Sequence, residues 1–441
     1  MRLMNRLFIV SLGSSLTLAL GAPVAAQQGS ADGPDTLRLG PLQQQAVAGD
    51  PRQREFDLLA RQTSLRLRNL SAERLPSLAA EGQAQYQSDV FSPPGSLSGT
   101  FPSPSKDTYD GHLSLEQSIL DPSIARRHNV ETAGLAESEA EVRTALYGLR
   151  AEVNQAFFDA ALLAERRRII AATIAELEAQ LRDARARVGA GTALPSDTAA
   201  IQATLLERRQ DQEEVDANRR AALVRLTELV KRPIAESDVF ALPELAEQTA
   251  IARHGLDSLR SRPEYEQFAR TRDRLVREQE AVSADQQPRL SAFGRAGYGR
   301  PGLNPVGSSW DTYFVVGLQV RWAPWNWGSS GRERQAIALQ RQIVSSEEEA
   351  FISSLTRSMQ GDLANMDRLD AALALDDQIV ALRESVEDET RLRFREGVIT
   401  ASEYVDRSTD VLEARLARAT HRVEQVQARA RFLTTLGLEI R

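Results

Sequence analysis

The chain has 441 residues, a formal net charge of −7, no cysteine and only 5% aromatic residues. This composition excludes disulfides, thiol chemistry and a lipid on an N-terminal cysteine, and charges of both signs interleaved along the chain argue against a nucleic-acid surface. Abundant Ala, Leu, Glu, Arg and Gln suit long helices better than a thick globular core.

Residues 1–26 read as an export signal. Arg2 and Arg6 precede a mostly apolar run from Leu7 to Leu20, and Val24-Ala25-Ala26 offers small residues before Gln27. No later run is long and apolar enough for a transmembrane helix, which leaves periplasm, medium or an outer-membrane β-barrel. Residues 27–50, rich in Gly, Gln and Asp, are expected to form a loose arm.

A first repeat is expected over 51–232. Pro51–Glu73 reads as a helix. From Leu78 the hydrophobic period becomes two, with Leu78, Ala80, Gly82, Ala84 and Tyr86 alternating with polar residues, so a strand is predicted over about 76–88. Residues 89–107, with four prolines, read as a loop. Leu113, Leu115 and Ile119 alternate with His112, Ser114, Glu116 and Ser118, predicting a second strand over about 109–120. Asp121-Pro122 then opens a long helix over about 123–188. Its apolar positions, from Val142 through Leu146, Leu149, Val153 and onward to Val188, step by four and three with Arg167 as the one interruption. A 3.5-residue period held this long is a coiled-coil seam. The helix would be roughly 100 Å long at 1.5 Å per residue, so the molecule is elongated. A turn around Gly191 leads to a return helix over about 196–231.

Residues 233–262, with Pro233 and Pro243, read as a linker, and the order of elements then recurs over 263–438. A helix over Pro263–Ala284 precedes strands over about 288–298 and 312–323, and long helices over about 328–396 and 402–436. The two tip glycines, Gly191 and Gly397, hold corresponding places. The seam of the second long helix, with Ile352, Leu355, Met359, Leu363, Met366 and Leu373, is less regular than the first.

Each repeat supplies two half-apolar strands. Four strands cannot close a barrel, and open edges cannot sit in lipid. Closure needs several chains, and three copies, giving about twelve strands, would enclose an aqueous bore. Tyr86, Tyr109, Trp310 and Tyr313 at the loop end, and Trp322, Trp325 and Trp327 at the helix end, fit interfacial girdles. Trp325 and Trp327 fit equally well as core anchors at a strand–helix junction.

With Leu75-Pro76-Ser77-Leu78, Gln117-Ser118-Ile119-Leu120-Asp121, Arg187-Val188-Gly189-Ala190-Gly191 and Phe394-Arg395-Glu396-Gly397-Val398 at these spacings, the chain resembles the TolC family of trimeric outer-membrane ducts over about residues 50–438. The resemblance implies a mainly α chain with a β-barrel part: a homotrimer whose 12-stranded outer-membrane barrel continues as a long α-helical barrel into the periplasm. It implies a passive exit duct for efflux or type I secretion, docked at Gly191 and Gly397 to a periplasmic adaptor and an inner-membrane transporter. It also places acidic residues near the narrow periplasmic mouth, here Asp197, Glu403 and Asp406. Rings of such acids would favour cations. The alternative is local, since Thr400-Ala401-Ser402-Glu403 is a capping-box pattern and acids favour helix N-termini.

Arg185, Arg187, Arg391, Arg393 and Arg395 crowd the helix ends before the turns, where cations suit the macrodipole. A second role for Arg185, Arg187, Arg393 and Arg395 would be ion pairing between hairpins, to acids such as Asp197. Gly191 and Gly397 are expected to supply left-handed backbone at the helix ends and to let an adaptor hairpin approach closely. No phosphate loop or zinc-protease motif occurs, and His112, His128, His254 and His421 each stand alone among their sequence neighbours. Acid pairs such as Asp376-Asp377 read as solvated helix faces. No enzyme activity, cofactor or metal is therefore expected. The rival class is a periplasmic coiled-coil scaffold without a pore. Cargo, whether drug, metal or protein, is not legible in the sequence.

Overall fold

The computed structural model describes residues 35–90, 104–254, 261–304 and 307–440. The expected export signal and most of the Pro-rich loop lie outside them. In chain order the elements are β1 (Thr36–Arg38), α1 (Leu39–Gly49), α2 (Gln53–Ala72), β2 (Ser77–Tyr86), β3 (Asp107–Leu120), α3 (Pro122–Gly189) and α4 (Pro195–Val230). There follow β4 (Val239–Ala241), α5 (Ala246–His254), α6 (Pro263–Ala284), β5 (Arg289–Arg300), β6 (Asp311–Arg321), α7 (Ser329–Arg395) and α8 (Ala401–Thr435).

The start of α3 follows from its sequence. Pro122 occupies the first turn, where no backbone donor is needed, and the Asp121 carboxylate accepts the Ser123 N–H at 2.9 Å. The helix runs 68 residues, about 100 Å. The seam positions Val142, Leu146, Leu149, Val153, Ala156, Ala160, Ile170, Ile174, Leu177, Leu181 and Ala184 are all buried. Arg167 leaves the seam and pairs with Asp216 on α4 at 2.6 Å, so the polar interruption has a partner. Helix α3 packs on α4 and α8, α7 packs on α8, and the short helices α2 and α6 lie against the upper part of α3.

The α7 seam is regular once packing is seen. Its buried positions Leu355, Met359, Asp362, Met366, Leu369, Asp376, Val380, Glu387, Thr390 and Phe394 keep three- and four-residue steps or their sum. The pattern looks weak in sequence because three of these positions are acids. Asp362 is bonded by Arg431 at 2.5 Å and Thr435 at 3.0 Å, both on α8. Asp376, expected on a solvated face, is buried and bonded to His421 of α8 at 2.6 Å.

The expected loose arm over 27–50 needs correction from residue 35 onward. Leu37, Leu39, Leu42 and Ala46 join a mid-trunk core with Phe157, Phe158, Leu226, Leu369, Phe432 and Leu433. Strand β1 pairs in parallel with β4, from within the expected linker. Both strands have three residues, too few for a period, and only a tertiary partner makes them strands. Gln43, Asn154 and Thr434 form a buried hydrogen-bonded chain at this level, which satisfies polar groups that would otherwise be costly to bury.

The other sheet has the order β2-β3-β5-β6, antiparallel throughout. The β3–β5 pairing joins the two repeats. Strand alternation sends Leu78, Leu113, Leu115, Phe314, Val316 and Leu318 to one face, where all are exposed. Among the described residues both edge strands, β2 and β6, lack a second neighbour. Among the described residues no helix is long and apolar enough to cross a membrane.

Candidate functional site

The tips of the two helical hairpins share one turn design. Helix α3 ends with Thr192 N–H on Arg187 C=O at 2.9 Å and Gly191 N–H on Val188 C=O at 3.0 Å. Helix α7 ends with Val398 N–H on Arg393 C=O at 2.9 Å and Gly397 N–H on Phe394 C=O at 3.1 Å. This Schellman pattern needs left-handed backbone one residue past the helix, and Gly191 and Gly397 have φ of 75° and 74°. A Cβ built on either would meet nothing within 4 Å, so backbone conformation and not crowding within the chain calls for glycine there.

Two contacts lock the hairpins together inside one chain. Asp197 accepts the Leu194 N–H at 3.1 Å, capping its own helix α4, while its other oxygen accepts the Ala401 N–H at 3.1 Å at the start of α8. Arg187 donates to the Phe394 and Arg395 carbonyls at 2.9 and 3.3 Å and lies over the Phe394 ring at 4.6 Å. A carboxylate therefore meets the N-terminus of α8 and a guanidinium meets the C-terminus of α7, which are the favourable ends of each macrodipole. Neither contact was foreseeable from local sequence, because each joins residues about two hundred positions apart.

The remaining predicted tip residues are placed differently. Glu403 and Asp406 are exposed, and the Thr400 hydroxyl accepts the Glu403 N–H at 3.4 Å. Arg185 bonds Gln202 at 3.3 Å, and Arg393 pairs with Glu389 in its own helix. Arg395 is exposed, with its carbonyl taken by Arg187. Among the described residues no arginine of this group forms an ion pair with Asp197 within the chain. Arg391 instead joins α7 to α3 through Glu176 at 3.0 Å.

On the polar sheet face, Tyr313 donates to Asp110 at 2.5 Å, and His112 lies 2.6 Å from Asp110 and 3.5 Å from Glu81. Tyr313 is thus not on the same face as Phe314, and its expected place among interfacial aromatics is corrected; one residue along a strand reverses direction. Trp310 stacks between Tyr109 and Tyr298 at 5.8 and 5.2 Å. Trp322, Trp325 and Trp327 are all largely exposed, so the last two are not core anchors.

Sequence reasoning missed one cluster. Glu387, 6% exposed, sits above the tips among Glu176 of α3, Arg391 of α7 and Tyr404 of α8, whose ring stacks on Phe394 at 5.5 Å. The signal was available, because Glu387 stands in seam register with Val380 and Phe394.

A long two-hairpin trunk carrying an open four-stranded sheet is also the shape of solved channel proteins. CusC, whose structures concern transmembrane channel formation, matches with a TM-score of 0.69 at 15% identity, over 91% of this chain and 92% of its own. The outer membrane protein VceC of Vibrio cholerae matches with a TM-score of 0.67 at 14% identity, over 91% and 97%. The open state of the MtrE outer membrane channel of Neisseria gonorrhoeae matches with a TM-score of 0.65 at 19% identity, over 92% and 90%. At such identities the likeness is one of fold. Comparison with curated proteins finds no match. Residues 44–230 match the family model described as outer membrane efflux protein.

Over that stretch, which is most of the first repeat, the chain is similar to outer membrane efflux proteins. That similarity and the shared fold together support an outer-membrane location and a channel role in transport.

Proposed function

We propose that three copies of this chain form a passive exit duct, with a 12-stranded barrel in the outer membrane and a helical barrel below it in the periplasm. The observation that carries this reading is the open sheet, apolar on one face and, among the described residues, unpaired along both edges. Unpaired backbone groups and lipid are incompatible, and pooling strands among copies removes both edges. The trunk supports the same stoichiometric logic. Leu375, Ile379, Leu382 and Val386 make an uncovered stripe on α7 with four- and three-residue steps, and Leu206 and Val224 are exposed on α4. Such stripes fit a neighbouring copy's helices.

In this reading the tip turns at Gly191 and Gly397 receive a periplasmic adaptor tied to an inner-membrane transporter of a tripartite efflux or type I secretion system. Exposed Glu403 and Asp406 ring the mouth, and Asp197 serves chiefly as a clasp between hairpins. Energy comes from the transporter. The test is reconstitution of the purified protein into planar bilayers, with gel electrophoresis of heated and unheated samples. Heat-dissociable trimers that conduct ions are expected. A detergent-free monomer without conductance would favour the pore-less periplasmic scaffold instead.

A further inference from the structure

Three acids occupy buried seam positions of α7, and they differ in one respect. Asp362 and Asp376 are each bonded by side chains of α8. Glu387 is buried equally, but among the described residues neither its Oε1 nor the buried Tyr404 hydroxyl beside it has a hydrogen-bond partner within 3.5 Å. The nearby cations are engaged elsewhere. Arg391 gives its short contacts to Glu176 and Asp388 and lies 3.9 Å from Glu387, and Arg415 pairs with Glu384 at 2.7 Å. The groups facing Glu387 are thus Glu176 from α3, Arg391 and Asp388 from α7, and Tyr404 and Arg415 from α8. Two inward carboxylates share one guanidinium where the two hairpins meet.

We propose that Glu387 is a proton-operated latch between the two hairpins of one chain: neutral, it lets α3 stay packed on α8 and tied to α7 through Arg391 above the tips, and ionised, it loosens that packing. Burial and then the neighbouring Glu176 carboxylate hold its carboxyl above the usual carboxylate range. Burial, Glu176 and Glu387 likewise push the Tyr404 hydroxyl up, so it stays a neutral neighbour. The sign follows from linkage. A carboxyl whose pKa is higher packed than apart binds its proton on packing, so the packed form is favoured at low pH and weakens as pH rises through the raised pKa. Loosening at Glu387 would strain the two clasps below it, Arg187 on the end of α7 and Asp197 on the start of α8. In a duct this would make closure of the mouth respond to periplasmic pH. That last step rests on the duct reading, while the latch itself rests on one chain.

The test reads a distance within one chain and so is separate from conductance. The chain has no cysteine, so Thr192→Cys and Val398→Cys, at exposed tip positions, give two unique spin-label sites. Labelled chains are assembled with an excess of unlabelled ones, and the tip-to-tip distance distribution is followed from about pH 4 to about pH 9. A distribution that lengthens and broadens with a midpoint above about 4.3, the ordinary Glu value, is expected. Glu387→Gln should stay narrow across the range, and Glu176→Gln, which removes the neighbouring charge and frees Arg391, should lower the midpoint. An unchanged distribution over the whole range would overturn the latch. So would a wild-type pH response in Glu387→Gln, or an unmoved midpoint in Glu176→Gln.

Discussion

The sheet and the tips solve opposite problems. In the sheet every pairing is made by strands whose alternation is written in the sequence, yet among the described residues the sheet has two free edges and an apolar face turned outward. At the tips the turns are short and carry exposed Leu194 and Val398, yet the two hairpins are clasped within the chain by Asp197 and Arg187. In the proposed duct, stability of the sheet end is therefore a property of the assembly, while stability of the tip end begins in the single chain. Substitutions can separate the two.

The largest effect is expected on the sheet. Val316→Arg puts a charge on the apolar face in mid-strand and should cost about 2–4 kcal/mol in each copy, enough to abolish heat-stable trimers on gels. Gln319→Arg, on the opposite face of the same strand, should leave the trimer band intact. Equal loss from both would show that the two faces are not differently solvated.

At the tips the effects are smaller and local. Asp197→Ala removes a cap and a bond across hairpins and should cost about 1–2 kcal/mol, seen as a lower thermal midpoint and faster amide exchange at Ala401. Glu403→Gln, at an exposed site where the backbone N–H and not the carboxylate makes the cap bond, should shift stability by less than about 0.5 kcal/mol. A stability loss as large as that of Asp197→Ala would make Glu403 a capping residue and weaken its place in an acidic ring. Gly397→Ala should cost about 1–2 kcal/mol from its left-handed backbone alone, since the space is free. Gly189→Ala, inside the last turn of α3, should be neutral or slightly stabilising, by at most about 1 kcal/mol. The melting midpoint should fall in Gly397→Ala and stay unchanged or rise in Gly189→Ala.

Much of the fold was legible because long elements carry strong periods. The alternation from Leu78 to Tyr86 and the seam from Val142 to Val188 each repeat one local rule often enough to stand out. The same logic explains what was missed. Strands β1 and β4 are three residues each and exist only as each other's partners. Helix α1, with Gly40, Pro41 and three consecutive glutamines, has little intrinsic helical signal and is held by burial of Leu39 and Leu42. Acids at Asp362, Asp376 and Glu387 hid the α7 seam, because whether an acid can stand in a seam depends on what α8 and α3 bring to it. The candidate site divides in the same way. The glycines at 191 and 397 could be read from turn chemistry, but the Asp197 and Arg187 clasps could not.

By itself the sequence determined the element order, the length of the trunk and the two-faced strands, because these depend on spacing between near neighbours. Only the tertiary structure decided which acids are buried, which helix ends are capped from across the molecule and which residue is left without a partner. Those depend on atoms brought together from hundreds of residues apart, and no local period records them.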